Sequence, residues 1–561
     1  MKLSGAQILV ESLLEQGTEV IFGYPGGSVL DIYDALYCSE KGPRHVLAAH
    51  EQGATHAADG YSRSTGKTGV ALTTSGPGAT NVVTGLATAQ LDSIPMVVIT
   101  GNVPLPMLGK DSFQEVDIVG ITIPITKQNF LVKNAKDIPE IIKKAFTIAN
   151  SARPGTVLID IPKDVSQQIV EYIPAGKFKK RPYPKPSSES LQAAVEAINA
   201  AQKPFIYFGG GVKSAGAEKA ILALSEKIDA PLAATVMGLS SVPFDHPRYI
   251  GMIGMHGRPA CNKAVTECDV LIVVGARFSD RVVGDTSKFA KKAKIIHIEL
   301  DPSEIGKNVN AHLPIRGDAK EVLENLTAQV HPQKHPEWNA YLQKLKKEVR
   351  SSKDYPYEGV DPREVIETIS KTSKYEAIVA TDVGQHQMLV AHHYKFTKPN
   401  TFLSSCGLGT MGFGMGAANG AKIGNPDRPV VLFTGDGSFH MNMAELAVAV
   451  SENLKIIVII FNNASLGMVK QWQNLFYEQR FSASVPARKT DFVKLAEAFG
   501  ATGFRIENND QVESIINKAF ETKGSVVIDC LVDKNFGAFP LIPAGKAYND
   551  MILDDTTDTQ K

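Results

Sequence analysis

Cysteine and tryptophan are scarce in this chain of 561 residues, and its formal net charge is zero. Its five cysteines form no Cys-x-x-Cys pair, which argues against a disulfide framework or a structural zinc site and favours a reducing cytosol. Lys plus Arg and Asp plus Glu both total 59, so no basic field points to nucleic acid or to an anionic membrane. We expect no secretory leader, because the first residues lack its pattern, and no membrane span, because no apolar run reaches roughly 18 residues. We expect a cytoplasmic protein that acts on small molecules.

Apolar strand segments alternate with helical patterns along the whole chain, in three blocks. The pattern predicts an α/β protein built from three doubly wound parallel-sheet domains, at 1–170, 190–330 and 362–545. Proline-rich or polar stretches at 172–190 and 330–363 are predicted to be linkers, and the tail around Asp554 is expected to be solvated.

Two polar segments of the third block follow buried strands. Asp436 in Gly-Asp-Gly comes after the strand predicted at 429–433, and Asn463 lies 27 positions later, after the strand predicted at 455–461. A helical pattern at 444–451 separates them. Because the carboxyl ends of neighbouring parallel strands share one edge of a sheet, a carboxylate and an amide oxygen should converge there. These ligands suit Mg²⁺ holding a diphosphate, although either segment alone is a common turn signal.

Together these segments resemble the thiamine diphosphate motif of enzymes that decarboxylate 2-keto acids. The resemblance implies that Asp436, Asn463 and the backbone carbonyl of Ser465 bind the metal. It also requires a glutamate, in a separate domain, that hydrogen-bonds the aminopyrimidine ring of the cofactor. Glu51, which follows a short strand predicted at 45–49, fits this general acid/base role. Taken alone, Glu51 would be an acid favoured by the start of a helix.

Longer strings narrow the resemblance to one family. They are Tyr24-Pro25-Gly26-Gly27, SGPGATN at 75–81, Phe113-Gln114-Glu115, Gly254-Met255-His256-Gly257 and Gln471-Trp472-Gln473. Dispersed in order along nearly the whole chain, they resemble the catalytic subunit of the acetohydroxyacid (acetolactate) synthase family. The resemblance implies that pyruvate is decarboxylated and its two-carbon unit joined to pyruvate or 2-ketobutyrate, giving 2-acetolactate or 2-aceto-2-hydroxybutyrate in branched-chain amino-acid biosynthesis.

A second nucleotide site is predicted in the central block. The strand at 204–208 ends in three glycines, where backbone can approach a phosphate closely. The string at 277–281 and Gly254 to Gly257 resemble the FAD-binding branch of the family, although Ser279 stands where Asp is common. The implied FAD residues are Arg153, Gly209, Gly210, Gly211, Thr235, Met255, His256, Gly275, Arg277, Glu299 and Asp318. FAD would be structural, and the alternative is the flavin-free central domain of catabolic acetolactate synthases.

The segment from Gly407 to Gly412 matches the pattern GxGxxG without its usual setting. No strong strand is predicted before it and no acid follows at the dinucleotide spacing, so the family interpretation is preferred. There the loop faces the thiazolium ring, with Met411 as an apolar wedge. The other residues implied around thiamine diphosphate are Gly384, Gln385, His386, Gly409, Gly435, Gly437, Ser438 and Met468. Met411 as core filler and His386 as an ordinary loop residue remain alternatives.

Two further residues are implied at the site of the acceptor substrate. Arg281 would bind the acceptor carboxylate as a bidentate fork, and Trp472 would shape the pocket around the extra methyl group of 2-ketobutyrate. Gln114, Lys163 and Phe113 would line the approach channel. Arg281 as a surface ion-pair partner and Trp472 as a core residue are the alternatives.

The resemblance also predicts the assembly. Glu51 and Asp436 would meet across a subunit boundary, so a homodimer would be the smallest active unit. The sequence does not decide between a dimer and a tetramer. Feedback control would require a separate small regulatory subunit. Two rival functions remain: an FAD-dependent pyruvate oxidase, which should lack Gln471-Trp472-Gln473, and a non-catalytic flavin-binding scaffold, which needs none of Glu51, Asp436 and Asn463.

Overall fold

A computed structural model describes residues 1–347 and 358–554 and contains three six-stranded sheets of parallel strands. The predicted fold class is confirmed. No helix within these two ranges is long and apolar enough to cross a membrane.

The first sheet has the strand order β3-β2-β4-β5-β7-β6, while β1 and β8 pair antiparallel beside it. The elements are β1 (Lys2–Ser4), α1 (Gly5–Glu15), β2 (Val20–Tyr24), α2 (Leu30–Cys38), β3 (Arg44–Leu47), α3 (Glu51–Thr65), β4 (Gly69–Thr73), α4 (Pro77–Thr80), α5 (Val83–Leu91), β5 (Met96–Asn102), α6 (Ile118–Thr122), β6 (Gln128–Leu131), α7 (Ile138–Asn150), β7 (Thr156–Pro162), α8 (Lys163–Gln167) and β8 (Ile169–Glu171).

The second sheet has the order β11-β10-β9-β12-β13-β14. Its elements are α9 (Ser188–Asn199), β9 (Pro204–Phe208), α10 (Gly211–Ala215), α11 (Glu218–Lys227), β10 (Leu232–Ala234), β11 (Tyr249–Met252), α12 (Pro259–Glu267), β12 (Val270–Val274), α13 (Asp280–Val283), β13 (Lys294–Glu299), β14 (Leu313–Arg316), α14 (Ala319–Gln329) and α15 (Pro336–Lys347).

The third sheet has the order β16-β15-β17-β18-β20-β19. Its elements are α16 (Pro362–Thr372), β15 (Ile378–Thr381), α17 (Gln385–His393), β16 (Phe402–Ser404), α18 (Phe413–Gly424), β17 (Val430–Gly435), α19 (Asp436–Asn442), α20 (Leu446–Ser451), β18 (Ile456–Asn462), α21 (Gly467–Phe476), α22 (Phe492–Ala498), β19 (Thr502–Ile506), α23 (Val512–Glu521) and β20 (Val526–Leu531). The crossover between β17 and β18 therefore contains two helices, whereas the sequence pattern predicted one.

Helices α3 and α18 join the first and third sheets at backbone contact. A Cβ atom added at Gly60 would lie 2.2 Å from the carbonyl oxygen of Ala417, and one added at Gly420 would lie 1.8 Å from that of Ala57. Only glycine fits at both positions. Helix α3 begins at Glu51, and helix α18 follows the Gly407–Gly412 loop. Their close crossing therefore connects two segments that carry predicted site residues.

Two expectations about connecting segments were wrong. The stretch 330–363 contains helix α15, whose Trp338 and Leu342 are buried against the second sheet, because an aromatic and an apolar side chain suffice to dock an otherwise polar helix. Residues 348–357 of that stretch lie outside the described ranges. At the other end, Asp554 is buried rather than solvated, because the segment 541–552 folds back over the second sheet region. Residues 555–561 of the predicted tail also lie outside.

Candidate active site

Several predicted site loops follow strands at the topological switch points of two sheets, where successive strands stop adding on one side and begin adding on the other. In the third sheet this reversal falls between β15 and β17, followed by the segments at Gly384 and Asp436. In the second sheet it falls between β9 and β12, followed by the glycine loop and the string at 277–281. Ligands of open parallel sheets bind in the crevice formed at such points.

Asp436 lies at the edge predicted for the metal. Strands β17 and β18 are in register up to Gly435 opposite Phe461, so Asp436 and Asn463 leave the sheet side by side. Burial raises the pKa of the Asp436 carboxyl to about 6, while backbone amides, including that of Asn463, act in the opposite direction. A buried carboxylate with few charged partners is well suited to a cation. Asp436 also borders a second cavity of about 340 Å³.

A hydrogen-bonded chain connects Asn463 to the other predicted residues. Its amide nitrogen donates to Gln385 Oε1 at 3.3 Å, and its amide oxygen accepts from the backbone nitrogen of Ser465 at 3.1 Å. Gln385 in turn donates to Gln471 Oε1 and to the carbonyl oxygen of Phe536, both at 2.8 Å. The strings at 384–386 and 471–473, far apart in the sequence, thereby meet.

Two buried polar atoms near this edge have no hydrogen-bond partner in the described part of the chain. They are Nε2 of His386 and Oγ of Ser465. Burial lowers the pKa of His386 to about 4, so its imidazole is neutral at neutral pH. Nδ1 of His386 lies 3.2 Å from the place where a Cβ of Gly435 would stand. Unpaired polar groups cost free energy unless a ligand contacts them, so the residues present fit a diphosphate with its metal.

The loop that carries Met411 is held by buried Asp382. One carboxylate oxygen of Asp382 accepts from the backbone nitrogen of Gly414 at 2.8 Å and the other from Oγ1 of Thr434 at 2.7 Å. Gly409 and Gly412 have φ values of +72° and +85°, which a glycine adopts without strain. The methyl carbon of Met411 lies 3.8 Å from the Cβ position of Gly437. The strand that precedes this loop, β16, has only three residues, which agrees with the expectation that no strong strand lies there.

Glu51 begins helix α3, which follows the edge strand β3. Its Oε2 accepts from the side-chain amide of Asn81 at 2.8 Å, and Asn81 ends the SGPGATN string. The two backbone amides before it, at Ala49 and His50, donate to Oε1 of Glu445 at 3.2 and 2.9 Å. Residues of both the first and third sheets therefore hold the segment that presents Glu51.

One cavity of about 1270 Å³ collects many of the predicted residues. Its lining includes Arg153, Gly209, Gly210, Gly211, Thr235, Met255, His256, Gly275, Arg277, Arg281, Glu299, Asp318, Gly384, Gly409, Met411, Met468 and Trp472. The predicted flavin residues and acceptor residues thus face a continuous space. The predicted residues outside this lining are Glu51, Gln114, Lys163, Gln385, His386, Gly435, Asp436, Gly437, Ser438, Asn463 and Ser465.

Several of the predicted flavin residues have structural partners of their own. Asp318 accepts from the first backbone amides of helix α14, and Thr235 accepts from the amide of Gly238 at 3.2 Å. Arg153 pairs with Glu304 at 2.8 Å. Burial raises the pKa of Glu299 and lowers that of Arg277. The cavity nevertheless offers acids and cations after neighbouring parallel strands, at the carboxyl edge of the second sheet. This arrangement suits the ribose and phosphate groups of a dinucleotide. These assignments stay predictions.

The substrate residues differ in exposure. The side chain of Arg281 is 59% exposed, and its nearest carboxylate, on Asp280, is 3.7 Å away. Trp472 is half-buried and its ring meets that of Phe476 edge-on at 5.5 Å. Gln114 is half-buried with φ +59°, and its backbone packs against Gly76 of the SGPG string. Lys163 is half-buried at the start of α8.

A buried ion-pair cluster was missed from the sequence. Arg63 pairs with Asp59 and with Asp92 (3.0 Å) and donates to the carbonyl oxygen of Ser404 at 2.9 Å. Asp92 also accepts from the backbone nitrogens of Cys406 and Gly407. The cluster fixes the start of the Met411 loop on helix α3. Its one sequence signal is a charged pair, Asp59 and Arg63, on an otherwise alanine-rich helix.

The described residues contain no cluster of three or more His, Cys, Asp or Glu side chains arranged to hold a metal ion. The candidate set of Asp436, Asn463 and Ser465 supplies one carboxylate only. A cation at this edge would therefore depend on further oxygen ligands from a bound diphosphate.

Three protein-family models match the chain. The N-terminal TPP binding domain of thiamine pyrophosphate enzymes matches residues 3–121, the central domain of these enzymes matches 191–326, and their C-terminal TPP binding domain matches 382–530. Fold and site together define a thiamine pyrophosphate enzyme, as the sequence predicted.

Curated relatives narrow that class. The probable acetolactate synthase large subunit of Methanocaldococcus jannaschii is 44% identical over 566 residues, covering 98% of this chain and 95% of the relative. Acetolactate synthase isozyme 2 large subunit of Escherichia coli K12 is 42% identical over 550 residues, covering 98% and 99%. The large subunit of Corynebacterium glutamicum is 44% identical over 564 residues, covering 98% and 90%. The chain belongs to the acetolactate synthase large-subunit family.

Proposed function

We propose that this chain is an acetolactate synthase catalytic subunit that decarboxylates pyruvate and transfers its two-carbon unit to pyruvate or 2-ketobutyrate. The products are 2-acetolactate and 2-aceto-2-hydroxybutyrate, which feed branched-chain amino-acid biosynthesis. The observation that carries the proposal is that Arg281 and Trp472 border the same cavity as Met411. An enzyme that only decarboxylates pyruvate needs no second cationic and aromatic pocket beside that loop.

Mg²⁺ and the cofactor diphosphate bind at the edge formed by β17 and β18. Asp436, Asn463 and the carbonyl oxygen of Ser465 hold the metal, and neutral His386 contacts the phosphates. When bound, thiamine diphosphate supplies a thiazolium ring that accepts the electron pair released as CO₂ leaves. Glu51 holds and moves a proton at the aminopyrimidine ring, with Asn81 orienting its carboxylate. Arg281 binds the carboxylate of the acceptor, Trp472 packs against its alkyl group, and Gln114 and Lys163 line the approach.

FAD occupies the large cavity in a structural role. Residues 1–170 form the pyrimidine-binding domain, 190–330 the FAD-binding domain and 362–545 the diphosphate-binding domain. A pyruvate oxidase or a flavin-binding scaffold is less well supported, because the relatives reported above are all named acetolactate synthases.

The active unit is a homodimer or a dimer of dimers. Phe113, next to Gln114, exposes 87% of its surface in the single chain, which supports coverage by a second copy. The relatives are named large subunits, so we expect a separate small regulatory subunit.

The test of this proposal is proton exchange at C2 of bound thiamine diphosphate, followed by nuclear magnetic resonance in deuterated buffer. Glu51→Gln keeps the size of the side chain but removes its proton-accepting charge, so exchange should slow by at least about a hundredfold, the usual range for a general acid/base. The control is Glu11→Gln, an exposed acid on the same domain, which should exchange at the wild-type rate. Normal exchange in Glu51→Gln would remove Glu51 from the mechanism.

A further inference from the structure

Lys213 is a cation inside the large cavity, and the described part of the chain offers it no partner. It lies two positions after the glycine loop, in helix α10, and lines the cavity together with Arg277. Within residues 1–347 and 358–554, its ammonium makes no hydrogen bond and no ion pair. Burial lowers the pKa of Lys213 to about 8. Lys213 is half-buried, and a cation in such a place is stabilised by a ligand that supplies the missing counter-charge.

The neighbouring acids are already occupied or too distant. Asp92 influences Lys213, but its carboxylate is bound by Arg63 at 3.0 Å and by the backbone nitrogens of Cys406 and Gly407 at 3.0 and 2.8 Å. Glu218, on the next helix, acts on the ammonium without reaching ion-pair distance. The positive charge of Lys213 is therefore uncompensated in the described part of the chain, at the seam between all three sheets.

Glycines hold the backbone of the loop before Lys213 in close contact with the loop at Gly275. A Cβ at Gly209 would lie 2.5 Å from the carbonyl oxygen of Gly275, and one at Gly211 would lie 2.6 Å from its Cα. The two loops therefore touch through glycines, and Gly210 between them meets nothing closer than 3.5 Å. Of the other cations on this wall, Arg153 is paired with Glu304. Lys213 is the unpaired charge that stands closest in sequence to this glycine loop.

We propose that Lys213 binds the diphosphate of the dinucleotide in this cavity and sets its preference for FAD over flavins that lack a diphosphate. The inference rests on the proposed FAD site. A single ammonium is a strong point-charge ligand for phosphate and contributes a charge-assisted hydrogen bond. Its loss should therefore affect flavins in proportion to their phosphate content and leave contacts to the isoalloxazine ring unchanged.

The test is equilibrium titration of apoprotein with FAD, FMN and riboflavin, followed by flavin fluorescence. Lys213→Met keeps the length of the side chain without its charge and should weaken FAD binding by about ten- to a hundredfold, with little change for riboflavin. Lys213→Arg should retain most of the affinity for FAD. Lys219→Met removes an exposed lysine of the neighbouring helix α11 and should match wild type. Circular dichroism and the unfolding temperature verify that each variant is folded.

Three results would overturn the inference. Unchanged FAD affinity in Lys213→Met would show that the ammonium contacts no phosphate. Equal losses for FAD and riboflavin would show that the lysine supports the cavity instead of the diphosphate. Wild-type protein that binds none of the three flavins would overturn the proposed FAD site and, with it, the role of Lys213. If wild type binds FAD and Lys213→Met binds it equally well, only the role of Lys213 is overturned.

Discussion

Trp472 and Arg281 border one cavity, the first with an apolar ring and the second with a cation. Their substitutions should separate the selectivity between acceptors from the binding of any acceptor. Trp472→Leu removes the surface that packs against the extra methyl group of 2-ketobutyrate. One methylene in an apolar pocket corresponds to roughly 1 to 3 kcal/mol, so the ratio of the two products under competition should fall by about one to two powers of ten. Pyruvate decarboxylation should be largely retained, because only the acceptor carries that methyl group.

Arg281→Ala should leave that product ratio nearly unchanged, because both acceptors carry the carboxylate that the guanidinium binds. Total product should fall and released acetaldehyde should rise. Competition assays with pyruvate and 2-ketobutyrate, quantifying both products and acetaldehyde, measure both variants. An unchanged ratio in folded Trp472→Leu would place the specificity pocket elsewhere.

Glu445 gives the stability a defined pH dependence. Burial raises its pKa from 4.5 to about 7 while it accepts the amides of Ala49 and His50. Because the folded state favours the protonated form, this contribution to stability is complete below pH 4.5 and is lost as pH rises to about 7. The shift corresponds to roughly 3 kcal/mol.

Glu445→Gln keeps an acceptor for both amides but cannot ionise. Its free energy of unfolding relative to wild type should therefore increase across that pH window, as followed by denaturant titrations at several pH values. Glu497→Gln, an exposed acid of the same domain, is the control and should track wild type. Parallel curves for Glu445→Gln and wild type would contradict a buried, ionising Glu445.

The residues predictable from sequence are those whose partners lie within one supersecondary unit. Asp436 and Asn463 follow adjacent strands of one crossover, so their spacing alone indicates convergence. Glu445 and Ala49 are 396 positions apart, and no local pattern connects them. Lys213 was missed for the same reason, because its isolation depends on carboxylates in another domain being already paired.

Among the elements, the crossing of α3 and α18 is the tightest junction between the first and third sheets. Gly420→Ala would place a methyl group 1.8 Å from the carbonyl oxygen of Ala57, so one helix must shift. Overpacking of this kind costs about 1 to 3 kcal/mol, which thermal unfolding should detect as a lower midpoint. Gly27→Ala, where a Cβ would meet nothing within 4 Å, is the control. Equal midpoints for the two variants would show that the crossing adjusts freely.

Strands were easier to predict than the polar helices. Buried parallel strands such as β17 and β18 are continuous apolar runs, which the sequence displays directly. The sequence of helix α15 is mostly polar and therefore predicts a linker, whereas the helix is stabilised by docking two side chains on the second sheet. The burial of Asp554 likewise depends on tertiary contacts that no local pattern indicates.

For the whole molecule, the proposed dimer predicts complementation between inactive variants. If Glu51 of one subunit and Asp436 of another serve the same cofactor, Glu51→Gln and Asp436→Ala each abolish activity, yet co-refolded or co-expressed mixtures contain intact sites. Random pairing gives about a quarter of wild-type activity. Activity that stays at the level of the separate variants would mean that each chain builds its own complete site.

The most direct measurement of the central claim is product analysis of the purified protein with thiamine diphosphate, Mg²⁺, pyruvate and 2-ketobutyrate, with dissolved oxygen recorded at the same time. The proposed function predicts 2-acetolactate and 2-aceto-2-hydroxybutyrate as the main products, with release of CO₂ and no stoichiometric uptake of oxygen. Acetyl phosphate or acetate formed with equivalent oxygen consumption, or acetaldehyde as the main product, would contradict an acetolactate synthase.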